Sequence, residues 1–407
     1  MNLKNSLYKV DPTPFNKDIL LPTSKSHSNR ALIIGAIRGN SFQIQNLSRS
    51  TDVLSLLSCF EKIGLKIKHV NDSVIFTNSF PACESDTAED TIDLKTGDGG
   101  TTNRFLLALL SLGKKTYRLI PTEKMSERPM EDLLIPLRKL MVSIDTNPAD
   151  AWLSVKGPAQ MINTGKLEID CKLSTQFASA MMLAFSALPI SFELKNIQAS
   201  ETYLKMTEFI LKETLNKNSY TIPVDFSSLS YPFALGLIRG RVLIKNCLRL
   251  DPLQADSGLI QLMKDAGGDI EWTPNGLLVS SKNKLLPFSV DGSQFPDLVP
   301  TLAFIAAHIE GTSTLSNLSV LRHKESDRLD EILTLLKTLS IDFIFNENND
   351  EIIIHGKGQL YPNMSLKTAR DHRMVMTAYL FLRANSGGLL AEVDCVEKSF
   401  PDFFKIM

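Results

Sequence analysis

LPTSKSHSNRALIIGAIRG, residues 21–39, is a polar turn full of hydroxyl side chains that runs into an apolar stretch and closes on glycine. Ser and Thr at such a place accept from the unpaired first N–H groups of a helix, and a glycine past the last turn permits the left-handed cap. The same pattern returns five more times. Turns near Ser28, Thr101, Ser174, Ser227, Asp297 and Asp371 open the stretches RALIIGAIRG, NRFLLALLSLG, QFASAMMLAFSA, LSYPFALGLIRG, LVPTLAFIAAHIEG and RMVMTAYLFLRA, at intervals of 73, 73, 53, 70 and 74 residues. Several units add a second amphipathic helix (DVLSLLSCFEKIG, MEDLLIPLRKLM, SGLIQLMKDAGG, LDEILTLLKTL) and an alternating strand such as LKIKHV or DIEWT. A recurrence of this length marks one supersecondary unit used repeatedly. Six copies in two sets of three, with a βαβαβ rhythm, place the chain in the α/β class.

The 407 residues are enough for two or three domains, at roughly 150 residues each. Lys and Arg number 44 against 45 Asp and Glu, a net charge of −1, which removes the overall basicity that makes nucleic acid a default partner. Any anion chemistry has to come from local clusters. The longest apolar run, MMLAFSALPI at 181–190, is far short of the roughly 20 residues that cross a bilayer. The N-terminal stretch MNLKNSLYKVDPTPFNK lacks the apolar segment of a secretory signal, so a cytoplasmic location is expected. Cys59, Cys83, Cys171, Cys247 and Cys395 are scattered, without a CxxC, which argues for reduced thiols and against a thiolate metal site.

The turns carry the chemistry. Lys25, Ser26 and Arg30 surround the first helix start, where a mobile point charge and a bidentate fork suit a ligand with phosphate and carboxylate groups. KTGDGGTTNR puts Gly97, Gly99 and Gly100 ahead of a helix with Arg104 one turn inside, and glycine there lets a ligand approach the backbone. It is neither GxGxxG nor GxxxxGK[ST], which leaves a mononucleotide site without support. Arg128 precedes Pro129 at a helix entry; Ser174, Thr175 and Gln176 open another helix; Ser200 and Tyr203 are neutral hydrogen-bonding groups. In LRHKESDRLDEIL, Lys324 and Arg328 are spaced i,i+4 for one helical face, with Glu325 and Asp327 between them. That stretch is either a salt-bridged surface helix or an anion site with Glu325 as a general acid or base. Arg373 and Lys398 come from ARDHRMVM and VEKSFPDFF, and His372 reads as a hydrogen-bonded structural histidine, since no second His or Cys stands at ligand spacing. Taken singly, most of these residues are explained equally well by helix capping or a solvated charged face.

In order and spacing, LPTSKSHSNRAL, TGDGGTTNR, ERPM, LSTQF, Ser200 with Tyr203, VDFSSLSY, FPDLVPTLA, LRHKESDRL, DHRM and EKSFPDFF resemble the 5-enolpyruvylshikimate-3-phosphate synthases over essentially the whole chain. The resemblance implies transfer of the carboxyvinyl group of phosphoenolpyruvate to the 5-hydroxyl of shikimate 3-phosphate with release of phosphate, on the route to chorismate and the aromatic amino acids. It implies no metal and no organic cofactor. It also implies two similar domains of three βαβαββ units each, residues 21–223 and residues 1–20 plus 224–407, with the active site in the cleft between them, and a monomer. Shikimate 3-phosphate would contact Lys25, Ser26, Arg30, Ser174, Thr175, Gln176, Ser200, Tyr203, Asp297 and Lys324. Phosphoenolpyruvate would contact Lys25, Gly100, Arg128, Gln176, Arg328, Arg373 and Lys398. Asp297, Glu325 and Lys25 would be catalytic: Asp297 takes the hydroxyl proton, Glu325 protonates the methylene carbon, and Lys25 shares the work. The excess of cations fits the task, because two like charges about 4 Å apart repel by roughly 4 kcal/mol at an effective dielectric of 20.

Against the family's usual pattern, Thr23, Asp98, Phe105, Arg370 and Val320 are departures. Asp98 places a carboxylate near a phosphate-binding turn. Sensitive members of the family bind glyphosate in place of phosphoenolpyruvate, so sensitivity is expected here, with Phe105 bearing on its degree through the position of Gly100. The sister enzymes that use UDP-N-acetylglucosamine carry a reactive cysteine shortly before the Arg-Pro pair, where this chain reads PTEKMSERP. A binding module that kept the fold without the activity is the rival from another class, and Asp297, Glu325, Lys25 and Arg128 all speak against it.

Overall fold

The computed structural model describes residues 7–146, 152–160, 165–197, 201–358 and 363–407. The chain divides into two compact units, one of Thr23–Pro223 and the other of Met1–Pro22 with Val224–Met407. Six helices form the inner layer: α1 (Lys25–Arg38), α2 (Gly100–Leu110), α3 (Gln176–Ala184), α4 (Phe226–Arg239), α5 (Val299–His308) and α6 (His372–Ala384). Each begins within three residues of the turn that announces it in the sequence. They are buried nearly all round, α5 from Val299 through Ala307, because α1–α3 pack on one another in one unit and α4–α6 in the other. Such helices read as continuous apolar runs rather than as stripes.

The sheets repeat one pattern. Thr91–Gly97 lies parallel to Thr116–Pro121, which pairs antiparallel with Leu153–Lys156, itself antiparallel to Ser143–Asp145. Ser289–Asp291, Gly311–Ser316, Glu351–Gly356 and Asp342–Asn346 repeat that order in the other unit. Parallel neighbours cannot be joined by a tight turn, so a helix crosses between them, α2 in the first case and α5 in the second. The antiparallel pair follows the outer helix, Glu131–Lys139 or Arg328–Thr338, which completes βαβαββ.

In two sheets the parallel strand comes from far along the chain. Ser219–Thr221 runs beside Phe42–Gln45, closing Thr23–Pro223 on itself. Phe15–Ile19 runs beside Gly240–Ile244, which anchors the N-terminal segment in the unit that also holds the C-terminus. Two smaller sheets flank α3 and α6: Lys166–Asp170 with Ser191–Lys195, and Met364–Leu366 with Gly388–Leu390, the last also pairing with Tyr8–Val10. All five cysteines are free, and only Cys395 is not fully buried.

Gly240 opens its strand directly opposite Phe15, and a Cβ there would stand 2.2 Å from the Phe15 carbonyl oxygen. Backbone cannot give way as a flexible side chain can. Gly240→Ala should therefore destabilise this unit by about 2–3 kcal/mol. The two tryptophans allow the effect to be localised: Trp272 lies in this unit and Trp152 in the other. The denaturation midpoint seen at Trp272 should fall.

Candidate active site

In the unit Thr23–Pro223 the functional side chains sit at helix starts. Ser24 caps α1, its side chain accepting from the His27 N–H. Lys25 follows, and its Nζ lies 2.8 Å from Oδ2 of the nearly buried Asp52, in the first turn of the helix Thr51–Lys62. A Cβ built on Gly99 would stand 2.7 Å from the Asp52 carboxyl carbon, and one on Gly100 would stand 2.9 Å from Arg128 Nη1 and 3.1 Å from Gln176 Oε1. Lys25, Asp52, the glycine turn, Arg128 and Gln176 thus form one continuous cluster. Arg104 supports it from behind: Nη1 donates to Gln176 Oε1 at 2.7 Å, Nη2 donates to the Pro129 carbonyl at 2.9 Å, and the guanidinium stacks over Phe177.

Arg30 is turned into the interior. Its Nε donates to Thr207 Oγ1 at 2.8 Å, Nη1 to the Ser26 carbonyl and Nη2 to the Tyr203 carbonyl, while the rings of Phe105 and Tyr203 cover its guanidinium. Burial lowers its pKa to about 10. Phe105 is fully buried and serves as a platform for Arg30. Ser174 acts as a cap, accepting from the Gln176 N–H at 3.2 Å, and Thr175 is buried beside it. Tyr203 lies on the helix Glu201–Thr214; Ser200 falls outside the described residues. Asp98 accepts from the Thr122 hydroxyl at 3.1 Å.

The other unit holds a ladder of charges in which Arg328, Asp371, His372, Arg373 and Lys398 are buried and Asp297 and Glu325 are partly exposed. Arg328 donates from Nη1 to Asp297 Oδ1 at 2.8 Å and from Nε to Asp371 Oδ2 at 2.7 Å. Arg373 Nη2 meets the second Asp297 oxygen at 2.8 Å. Asp371 is the cap of α6, accepting from the Arg373 N–H, so the residue that orients Arg328 also fixes the helix start bearing Arg373. Glu325 is held by Lys398 at 3.0 Å and by His372 Nδ1 at 2.9 Å. Burial pushes the Asp297 carboxyl up, but Arg373, Arg328 and Lys324 outweigh it and hold the group below the usual carboxylate range. Glu325 behaves alike: burial raises it, while His372 and Lys398 bring it well below. Burial lowers the His372 pKa more than Glu325 raises it, while its Nδ1 stays 2.9 Å from the Glu325 carboxylate.

Lys324 and Arg328 do not share a helical face. A 3-10 turn ends at His323, Lys324 is extended, and the helix begins only at Arg328 because Asp327 caps it, accepting from the Asp330 N–H at 3.0 Å. Asp327 is thereby spent as a cap and Glu325 on Lys398 and His372, instead of lying between two cations. Ligand atoms of Glu325, Asp371 and His372 come within 4.8 Å of one another, but Lys398 and Arg328 already neutralise the two carboxylates, so the group is ill suited to a metal ion. Arg370, another departure, ties this turn down through Glu392 at 3.0 Å and Asp394 at 2.7 Å. Asp52 is the partner that sequence reasoning missed, because one acid in a first helical turn looks like ordinary dipole complementarity.

Among solved structures, EPSP synthase from Acinetobacter baumannii superposes with a TM-score of 0.79 at 23% identity, covering 98% of this chain and 97% of that one. The enolpyruvyl transferase NikO from Streptomyces tendae superposes with a TM-score of 0.68 at 13% identity, covering 98% and 95%. The fold is therefore that of the enolpyruvyl transferases. The family model described as EPSP synthase (3-phosphoshikimate 1-carboxyvinyltransferase) matches residues 10–407, and the chain belongs to that family. A 3-phosphoshikimate 1-carboxyvinyltransferase from Paraburkholderia phytofirmans is 28% identical over 432 aligned positions, spanning 97% of this chain and 98% of the relative. The chain is thus an enzyme that transfers the carboxyvinyl group of phosphoenolpyruvate to shikimate 3-phosphate in aromatic amino acid biosynthesis.

A methyl group on Gly100 would press on the far end of Arg128, which can move. Gly100→Ala should therefore leave the denaturation midpoint nearly unchanged while raising the KM for phosphoenolpyruvate. Asp371→Asn should cost about 3 kcal/mol, since it removes one of the two counter-charges of a buried guanidinium and leaves only Asp297. Burial raises the Asp371 pKa, but Arg328 and His372 bring it below its ordinary value. The penalty should thus be complete above about pH 4 and shrink as the pH falls toward the native value. Equal penalties at pH 3 and pH 7 would contradict this.

Proposed function

We propose that Asp297 and Glu325 are the proton-transfer groups of this carboxyvinyl transfer and that Lys25, Arg128, Arg328, Arg373 and Lys398 hold phosphoenolpyruvate, with Gly100 and Gln176 beside it. Shikimate 3-phosphate is held by Lys25, Ser26, Arg30, Ser174, Thr175, Gln176, Ser200, Tyr203, Asp297 and Lys324, with Arg30 acting largely by positioning Ser26 and Tyr203. The observation that supports these roles most is the pairing of Asp297 with Arg328 and Arg373, and of Glu325 with Lys398. The cations are set in place before any ligand arrives, with carboxylates standing in for its anionic groups.

When phosphate and carboxylate groups of the ligands take over these cations, Asp297 and Glu325 lose the charges that depress their pKa values. Asp297 can then accept a proton and Glu325 can hold one to give. In the addition step the 5-oxygen bonds to C2 of phosphoenolpyruvate, its proton passes to Asp297, and Glu325 protonates C3. In the elimination step the bond from C2 to the phosphate oxygen breaks, phosphate leaves, and loss of a methyl proton restores the double bond. The enzyme acts as a cytoplasmic monomer on small molecules, without nucleic acid, metal or organic cofactor, and glyphosate competes with phosphoenolpyruvate.

Phosphate release that requires both substrates tests the assignment, with UDP-N-acetylglucosamine as the control acceptor that should yield none. Asp297→Ala and Glu325→Ala should each lower kcat by about 10²-fold or more with the fold intact. Arg128→Ala should mainly raise the KM for phosphoenolpyruvate. Near-wild-type turnover in either carboxylate variant would remove the role given to it.

A further inference from the structure

Arg30 is 1% exposed, yet every acceptor that its guanidinium meets among the described residues is a neutral oxygen. Thr207 Oγ1 at 2.8 Å, the Ser26 carbonyl at 3.0 Å and the Tyr203 carbonyl at 3.1 Å accept from it, and Ser179 Oγ stands at 3.4 Å. Arg328 is buried to a similar degree, but between two carboxylates. A buried charge without a counter-charge is costly unless something else stabilises it. For Arg30 the remaining neighbours are rings. The Phe105 centroid lies 5.3 Å from the guanidinium carbon and the Tyr203 centroid 5.8 Å. Both are inside the roughly 6 Å over which the negative face of an aromatic ring attracts a cation, and that attraction is largest out of water. Burial brings the Arg30 pKa down only to about 10, so the group stays charged at neutral pH.

Phe105 comes from α2, the helix that begins at Gly100. Successive helical residues point about 100° apart, so Arg104 reaches Gln176 on one side while Phe105 meets Arg30 on another. α1 and α2 are also fastened at their starts, where Asn29 Nδ2 donates to Thr101 Oγ1 at 2.7 Å, a bond that does not depend on residue 105. We propose that Phe105 is a positioning residue for shikimate 3-phosphate: its ring takes the place of a carboxylate beside Arg30 and so keeps Ser26 and Tyr203, held through their carbonyls, where the acceptor meets them. The proposal rests on the acceptor contacts assigned above to those two residues. A carboxylate under Arg30 would stabilise the guanidinium equally, but its net charge would repel an incoming phosphate. A ring attracts the cation through its quadrupole and carries no net charge, so the positive potential of Arg30 is kept. Acceptor affinity thus depends on the electron density of the ring as well as on its volume.

The test separates the face of the ring from its bulk. Phe105→Leu removes the face and keeps much of the apolar volume, whereas 3,4,5-trifluorophenylalanine installed at position 105 keeps the shape and withdraws the electron density that attracts a cation. Calorimetric titration with shikimate 3-phosphate should show the Kd raised by about twofold or more with the fluorinated ring and by about fivefold or more in Phe105→Leu. At saturating acceptor, kcat and the KM for phosphoenolpyruvate should stay within about twofold of wild type in both proteins. Wild-type affinity in the fluorinated protein would overturn the proposal even if Phe105→Leu binds weakly, because the ring would then act by volume alone. A change confined to the KM for phosphoenolpyruvate would also overturn it, since Phe105 would then serve the Gly100 turn. Ser26→Ala is the control on the underlying assignment. If it binds the acceptor as tightly as wild type, the acceptor contacts fail and the proposal falls with them; if it binds weakly while the fluorinated protein does not, this proposal alone fails.

Discussion

Arg328 is the side chain on which the arrangement of the site in its unit turns. It is buried, it divides its hydrogen bonds between Asp297 and Asp371, and through Asp371 it is tied to the start of α6, where Arg373 and His372 sit. His372 in turn holds Glu325, which precedes Arg328 by three residues and pairs with Lys398. Four separate stretches of chain are thereby fixed by one guanidinium. Ion pairs removed from water in this way add little net stability, because desolvation offsets most of the attraction. Their value lies in position: each cation is aimed before a ligand arrives.

The same logic governs the other unit with different parts. Lys25, Gly100 and Gln176 open α1, α2 and α3, and Arg104 holds Gln176 in place beneath Arg128. Repetition explains why one chain can do this twice. Each βαβ crossover ends a strand, makes a short turn and starts a buried helix, and a helix start supplies free N–H groups and partial positive charge. Three such starts per unit give three places from which to present a functional side chain. The scaffold is conserved from copy to copy within the chain while the presented residue changes: lysine, glycine or glutamine in one unit, and the Asp371–Arg373 turn in the other.

Much of this was legible in the sequence for physical reasons. Capping residues and apolar runs are local signals, so the six inner helices could be placed to within three residues. The strands Ser219–Thr221 and Phe15–Ile19 left no such trace, because their partners lie far away in the chain. Periodicity also misplaced Lys324 on a helix, since spacing cannot tell a cap from a helical residue when Asp327 could be either. Arg30 could be singled out, but not the inward commitment of its guanidinium to Thr207 and two carbonyls. Asp52 was invisible for a related reason: a single acid near a helix start is the most ordinary residue there.

The central claim is that Asp297 and Glu325 stand in for the anionic groups of the ligands and that, once their cations are taken, burial is left to raise both carboxyls above the ordinary carboxylate range. Net proton uptake on binding tests this most directly. Shikimate 3-phosphate together with an unreactive phosphonate analogue of phosphoenolpyruvate would be titrated calorimetrically in two buffers of different ionisation enthalpy. Displacement of Glu325 and Asp297 from their cations predicts uptake of protons by the wild type near neutral pH and a smaller uptake by Glu325→Gln. A binding enthalpy that does not depend on the buffer would contradict the account.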